Sequence, residues 1–583
     1  MTIEKRIRNS IAFLYGEGNV EWIYGRIQAS IDSFLRNPRL KTPRRGSLSE
    51  KDAILITYAD SFRSPERSPL ETLNLFIQEQ LGQAVSAVHI LPFYPYSSDD
   101  GFSVVDYRQV NPEVGEWENV TSIGRHHRLM FDMVINHISR KSAWFQAYLR
   151  DEAPYRDYFI TAQEAWDLSH VVRPRTLPLL SEVNTSSGPR KVWTTFSDDQ
   201  IDLNFANPLV LMEGIDLMLF YVQKGAEFLR LDAIAYLWKE PGTSCIHLPQ
   251  THAVIKLMRA VLDQAAPDVF LITETNVPHQ ENISYFGDYL VETGRTDEAQ
   301  LVYQFPLATL TLHAFRTGNA RILSAWAASL DNQSLFFNFI ASHDGIGIMP
   351  AKGILTEQEI QALVDQTLRH GGKVSYKSNP DGSRSPYELN ITLYDLLNDP
   401  ARPNPQLDSD RFIASQVLML SLRGVPGIYF HSLFGSSNCL ACLEATGEAR
   451  SINRQKFDYP ALAAQLENPQ SRPAQVLRRY LRLLALRGQE PAFHPSGAQE
   501  VWDADPEVFA LFRQSPDRSQ TIFCLVNVTT HPKQLRLKHS SHSLLREPVW
   551  LDLISNQTHT PMDDCLEIHL APYQCCWLKA VSR

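Results

Sequence analysis

Eight short apolar runs, separated by stretches of helical periodicity, constrain the fold of this chain more than any other feature. They are Ile54–Thr57, Ala87–Leu91, Leu129–Val134, Glu227–Leu231, Val269–Ile272, Leu301–Phe305, Leu335–Ile340 and Gly427–Phe430. Each is strand-length and rich in Val, Ile, Leu or Phe, as a strand covered on both faces requires. Between several of them lie amphipathic segments. In THAVIKLMRAVLDQ, for example, Val254, Leu257, Met258, Val261 and Leu262 form one stripe. Eight strands alternating with helices predict an α/β fold, a (β/α)8 TIM barrel of parallel strands.

The barrel does not account for the whole chain. At 583 residues there is room beyond the roughly 250 that such a barrel needs. Residues 1–50 read as an N-terminal helical extension ending in the basic stretch LKTPRRGSLSEKD. The catalytic barrel is expected over 51–492. It carries an inserted subdomain after strand 3 (138–200) and a long active-site loop between strands 7 and 8 (345–411), because both connections are too long for simple loops. The loop includes the turn-rich stretch KSNPDGSRSPYELN. Over 493–583 the pattern changes to short alternating runs such as VFALFRQ, TIFCLVNVT and CCWLKAV, which predict a C-terminal all-β domain.

Several function classes are disfavoured. A net charge of −10 argues against nucleic acid as a main partner, since phosphate backbones want a basic face. The N-terminus lacks the apolar core of a secretion signal, and no apolar run is long enough for a membrane span. The pairs Cys439/Cys442 and Cys575/Cys576, among seven cysteines, lack partners at zinc spacing. The expectation is reduced thiols, no metal, no membrane partner and a cytoplasmic location. A homodimer is a candidate assembly.

Barrels of this kind place their chemistry at the C-terminal ends of the strands. There the sequence has Asp132, Asn136 and His137 (FDMVINH), Arg230 and Asp232 (FLRLDA), Glu274 (LITETN), and His343 and Asp344 (FIASHDG). Strand two leads into PFYPYSSDDGF with Asp99 and Asp100. One carboxylate at a strand end could cap a helix or pair with an arginine. Three on separate strands of one barrel converge on one space.

DMVINH, FLRLDA, ITETN and ASHDG resemble the four signature regions of the α-amylase clan of glycoside hydrolases, and QIDLN resembles its accessory fifth motif. The match covers roughly Ala53 to Tyr480. LITYADSF, RPR at Arg173–Arg175, KEPGTSC, SHDGIG and SINR at Ser451–Arg454 are similar to the sucrose phosphorylase branch. Within it KEPGTSCIHL, ITETNVPH, WTTFSDDQIDLN and NPDGSRSPYE are most like glucosylglycerate and glucosylglycerol phosphorylases.

The resemblance implies a retaining mechanism with one carboxylate nucleophile and one carboxylic acid. Asp232 takes the first role and Glu274 the second, with Asp344 as transition-state stabiliser. Arg230, two residues before Asp232 on the same strand face, is expected to lower the pKa of Asp232, while that of Glu274 should be raised. Asp132 supports the site without touching the bond. Asp99, His137, His343 and Arg454 would bind the glucosyl ring, between walls of Phe102 and Tyr236.

The motifs imply a glucosyl-enzyme without saying what resolves it. Water or a second sugar, as in an α-glucosidase or transglucosylase, is the alternative to phosphate. Phosphate, a substrate rather than a cofactor, would be held by Arg175 and Tyr387, and no cofactor is implied. The partners are then a small α-glucoside and phosphate, with α-glucose 1-phosphate as product. Glycerate or glycerol ranks before sucrose as the other half of the glucoside. An anionic acceptor would be helped by a cation, for which Lys352, Lys373, Lys377 and Arg384 are candidates. Many α-amylases hold calcium near the inserted subdomain, whereas the resembling phosphorylases do not.

Overall fold

The computed structural model describes residues 1–37, 47–331, 334–379, 382–546 and 548–581. The basic stretch after the N-terminal helices, up to Gly46, lies outside them, as do Pro380 and Asp381 of the turn-rich stretch.

Eight parallel strands close a barrel in chain order: β1 Ile54–Thr57, β2 Ala87–Ile90, β3 Arg128–Met133, β4 Ala226–Leu231, β5 Phe270–Thr273, β6 Leu301–Tyr303, β7 Phe336–Asn338 and β8 Val425–Tyr429. All eight coincide with the apolar runs. β1 closes the ring by pairing with both β2 and β8. Helices buried on their inner stripe surround it. Pro249–Ala265 buries Val254, Leu257, Met258, Val261 and Leu262 as the periodicity requires.

The N-terminal helices α1 (Ile3–Tyr15) and α2 (Val20–Leu35) thicken this outer wall. Ile23, Ile27, Ile31 and Phe34 form the buried stripe of α2. Arg6 of α1 donates to Asp263 at 2.6 Å, and the Tyr15 hydroxyl donates to the Phe205 carbonyl at 2.8 Å. Among the described residues no helix is long and apolar enough to cross a membrane.

The segment between β3 and β4 holds an antiparallel hairpin, Leu180–Thr185 with Gly188–Trp193. Its two ends are clamped where His137–Ser139 pairs with Gln200–Asp202. The segment between β7 and β8, expected as a long loop, is a folded unit instead. Ile346–Gly347, Arg384–Asn390 and Lys373–Ser378 make a three-stranded antiparallel sheet beside the helix Glu357–Arg369. A capping box at Thr356 and Glu359 starts that helix, which turn residues further along the segment obscure in the sequence.

The C-terminal strands form a six-stranded sheet with a separate two-stranded ribbon. Period-two alternation divides the strand Val508–Gln514 between two cores. Val508, Ala510 and Phe512 face the domain's own core, and Phe509 and Leu511 join the core of the barrel. The Trp577 indole fixes the contact by donating to Ser421 at 2.8 Å.

One cysteine expectation is corrected. Cys439 and Cys442 are joined in a disulfide. Cys439 caps the helix Leu440–Thr446 and Cys442 lies in its first turn, which leaves their Cα atoms 5.2 Å apart, within bridging range. Cys245, Cys524, Cys565, Cys575 and Cys576 are free.

Candidate active site

Strand register builds the centre of the site. A register shift after Leu129 sets Asp132 of β3 opposite Arg230 of β4. Side chains of neighbouring parallel strands then lie side by side, and Arg230 donates to Asp132. The same nitrogen donates to Asp232 Oδ1 at 2.6 Å, and the other terminal nitrogen stands 3.8 Å from Glu274 Oε2. Asp132 is fully buried and its second oxygen meets His89 Nε2 of β2 at 2.7 Å. One guanidinium thus ties three carboxylates from successive strands together, and Asp132 acts only through it.

Asp232, Glu274 and Asp344 line one pocket above the barrel, as do Arg230, Asp99 and Phe102. His137, Tyr236, Arg175 and Tyr387 complete the predicted residues found there. Asp344 comes from the turn after β7, where Gly345 takes φ +84° and an added Cβ would lie 2.4 Å from the Leu389 carbonyl oxygen. Asp99 sits on a strained turn, with φ +52° and φ +51° at Asp99 and Asp100. The turn is pinned by Asp199, whose Oδ2 accepts from the hydroxyls of Ser97, Ser98 and Ser103 at 2.5, 2.5 and 2.7 Å.

His343 and Arg454, expected to touch the sugar, are not among the residues lining this pocket, and Arg454 lines the adjoining cavity with Asp99, Arg175 and Arg450. His343 stacks on Phe102 with ring centroids 5.0 Å apart and planes 1° from parallel. Burial holds its imidazole well below the ordinary value, against the pull of Asp344 at 3.3 Å. Arg454 donates to the His343 carbonyl at 2.9 Å and faces Asp99, Asp100 and Asp344 at 3.7–3.9 Å. His137 reaches the pocket but its Nε2 lies 2.9 Å from the Phe102 carbonyl, so it also fixes that aromatic wall. Phe196 and Tyr236 extend the wall edge to face at 5.5 Å.

The electrostatics correct one expectation. Burial pushes the Asp232 carboxyl well above its usual value. Arg230 opposes this, but Glu274, Asp132 and Asp344 add to it. Arg230 lowers the pKa as anticipated, yet its charge is shared with Asp132 and does not prevail over burial. Burial also raises Glu274, again against Arg230 and with help from Asp344 and Glu388. The two carboxyls therefore keep a proton between them above the usual carboxylate range. The guanidinium is closer to Asp232, which favours placing that proton on Glu274. Asp344 goes the other way: against its burial, His343 first and then Arg450, Arg230 and Arg454 hold it well below its usual value.

Arg175 from the insertion and Tyr387 from the hairpin meet at the outer side of the pocket, with the guanidinium 5.9 Å from the ring centroid. Along Arg384–Asn390, Glu388 pairs with Ser375 and Pro386 with Tyr376, leaving Tyr387 as the extra residue of a β-bulge. Bulges re-aim side chains, and here both Tyr387 and Glu388 line the pocket. Lys352, Lys373, Lys377 and Arg384 do not line it; the cations that do are Arg175, Arg230 and Arg450. Sequence reading missed Arg450 and Glu388. The available signal for Arg450 was a second arginine four residues before Arg454.

A buried ammonium braces the inner wall. Lys239 Nζ lies 2.5 Å from Asp202 Oδ2 and donates to Asn136 Oδ1 at 2.7 Å. Asp202 also accepts from Thr195 N and Oγ1 at 2.8 and 2.6 Å. Lys239→Met should cost about 3–5 kcal/mol, because it strands a buried carboxylate, and denaturant unfolding measures it. An unshifted midpoint would show that the bonds from Thr195 and from Asn136 Nδ2, at 3.2 Å, satisfy Asp202 without the lysine. Among the described residues no group of three or more His, Cys, Asp or Glu could hold a metal ion.

The comparisons agree with this geometry. Residues 76–351 match the family model described as Alpha amylase, catalytic domain, and residues 499–577 match Maltogenic Amylase, C-terminal domain. A glucosylglycerate phosphorylase of Spirochaeta thermophila is 46% identical, over 98% of this chain and 98% of its own. That of Escherichia coli is 43% identical, over 93% and 94% respectively. The crystal structure of sucrose 6F-phosphate phosphorylase from Thermoanaerobacter thermosaccharolyticum superposes with a TM-score of 0.71 at 24% identity, covering 83% of this chain and 96% of that one, and bears on the fold alone.

Proposed function

Since the chain belongs to the glucosylglycerate phosphorylases of the α-amylase clan, and is an enzyme that transfers glucosyl groups as a glycoside phosphorylase, we propose that its substrate is glucosylglycerate. Asp232 attacks the anomeric carbon while Glu274 protonates the departing oxygen of glycerate. The resulting glucosyl ester on Asp232 is opened by phosphate, giving α-glucose 1-phosphate, so both displacements together retain configuration. Asp344, held ionised by His343 and the arginines around it, stabilises positive charge developing at the ring. Arg175 and Tyr387 hold the phosphate over the anomeric carbon. The reaction has no cofactor and runs in the cytoplasm.

The observation that carries this reading is the pocket itself. Three carboxylates from separate strand ends share it with Arg175, a cation that also lines the wider adjoining cavity. A hydrolase needs only water there. A charged group for an oxyanion fits phosphate.

Purified enzyme should consume glucosylglycerate with phosphate much faster than without it. Glucose released at equal rates in both conditions would overturn the phosphorylase assignment. Arg175→Ala should lower the partition of the glucosyl-enzyme toward phosphate rather than water by about tenfold or more, one lost charge-assisted contact. An unchanged partition removes Arg175 from the phosphate site.

A further inference from the structure

Glu388 is almost fully buried, yet it lines the substrate pocket. Its carboxylate meets two guanidinium groups that arrive from distant parts of the chain. Arg450, on the short helix Ala449–Asn453, donates to both oxygens at 2.8 Å. Arg175 stands 3.6 Å from one of the same oxygens. Arg450 does not stop there: its second terminal nitrogen is 3.0 Å from Asp344 Oδ1 and 3.7 Å from Asp99 Oδ1. It thus spans from the carboxylates that would face the glucosyl ring to Glu388.

We propose that Arg450 and Glu388 form the charge reader of the acceptor subsite, with Arg450 binding the carboxylate of an anionic acceptor and Glu388 tempering that attraction as a built-in rival anion. The proposal rests on the acceptor read above and deepens it. Two features support it. The planar guanidinium of Arg450 already meets the Glu388 carboxylate with a pair of donors, Nε at 3.3 Å and a terminal nitrogen at 2.8 Å, so an acceptor carboxylate would compete with Glu388 for an edge built for strong and selective contacts. Glu388 reaches the pocket only because of the bulge at Tyr387, a backbone irregularity of the kind that re-aims side chains next to active sites. A structural ion pair buried beneath the sheet would not need that exposure to the cavity.

The two residues then have opposite effects on one ratio. With α-glucose 1-phosphate as donor, the measured quantity is kcat/KM for glycerate divided by that for glycerol, molecules that differ in a carboxylate. Absolute rates will fall in Arg450 variants, since Arg450 touches Asp344, but damage on the glucosyl side affects both acceptors alike and cancels in the ratio.

Arg450→Gln should lower the ratio about tenfold or more, with Arg450→Lys between it and the wild type. Glu388→Gln keeps the shape and an acceptor oxygen for Arg450 while removing the rival charge, so it should raise the ratio several-fold. Both ratios falling together would mean that the pair merely shapes the pocket and would overturn the proposal, as would an unchanged ratio in Arg450→Gln. A wild-type enzyme that prefers glycerol would sink the glycerate reading alone. The opposite shifts in the variants are read against the wild-type ratio, whatever its value.

Discussion

Asp232→Asn should lower kcat for phosphorolysis by at least about 10⁴-fold, or roughly 5 kcal/mol of barrier. The amide cannot form the glucosyl ester, so the two-step route closes entirely. The fold should survive, for a reason specific to this site. Arg230 donates to Asp132 as well as to Asp232, so removing one carboxylate does not leave a buried guanidinium unpaired. Unfolding curves should therefore nearly coincide with those of the wild type. Mass spectrometry after incubation with a slow 2-deoxy-2-fluoro glucosyl donor should find the adduct on the wild-type peptide containing Asp232 and none on the variant. Substantial turnover by the variant, or an adduct elsewhere, would refute the nucleophile assignment.

Glu274→Gln should cost glycoside donors about 10³-fold, within the range for a general acid, and α-glucosyl fluoride far less, because fluoride leaves without a proton. The pH profile carries a second signature. Burial raises the Glu274 carboxyl, with Asp344 and Glu388 adding to the effect against Arg230. The acid form that protonates the leaving oxygen therefore persists above the usual carboxylate range. Glycoside cleavage falls as pH rises through that raised value, and in Glu274→Gln this basic limb should vanish from kcat/KM. Equal losses for glycoside and fluoride, or a retained basic limb, would move the acid role to another residue.

The parts of this site that were legible in the sequence share a cause. Strands covered on both faces must be continuously apolar, so β1–β8 stand out, and the polar residues that interrupt them at one end mark Asp132, Asp232, Glu274 and Asp344. What escaped depends on contacts between elements. The pairing of Asp232 with Arg230 two residues away is visible locally. The upward push on its carboxyl is not, because it comes from burial and from carboxylates on three other strands. Arg450 lies in a helical turn with no periodic signal. Strand alternation would turn Glu388 away from whatever Tyr387 faces, and only the bulge in the paired strands reverses that. Lys239 reads as an ordinary surface lysine until the fold closes over it beside Asp202.

That bulge has an evolutionary consequence. Tyr387 and Glu388 face the same space because the strand Arg384–Asn390 carries one residue more than its partner needs. Deleting a single residue there would restore regular alternation and swing one of the two out of the cavity. Tyr387, proposed for phosphate, and Glu388, proposed for the acceptor, are therefore linked by hairpin length as well as by adjacency. Point substitutions can tune each separately, but insertions and deletions in this hairpin act on both at once. Among descendants of such a gene, changes of acceptor should accumulate as replacements at a conserved length, with length changes appearing where phosphate use itself has been lost.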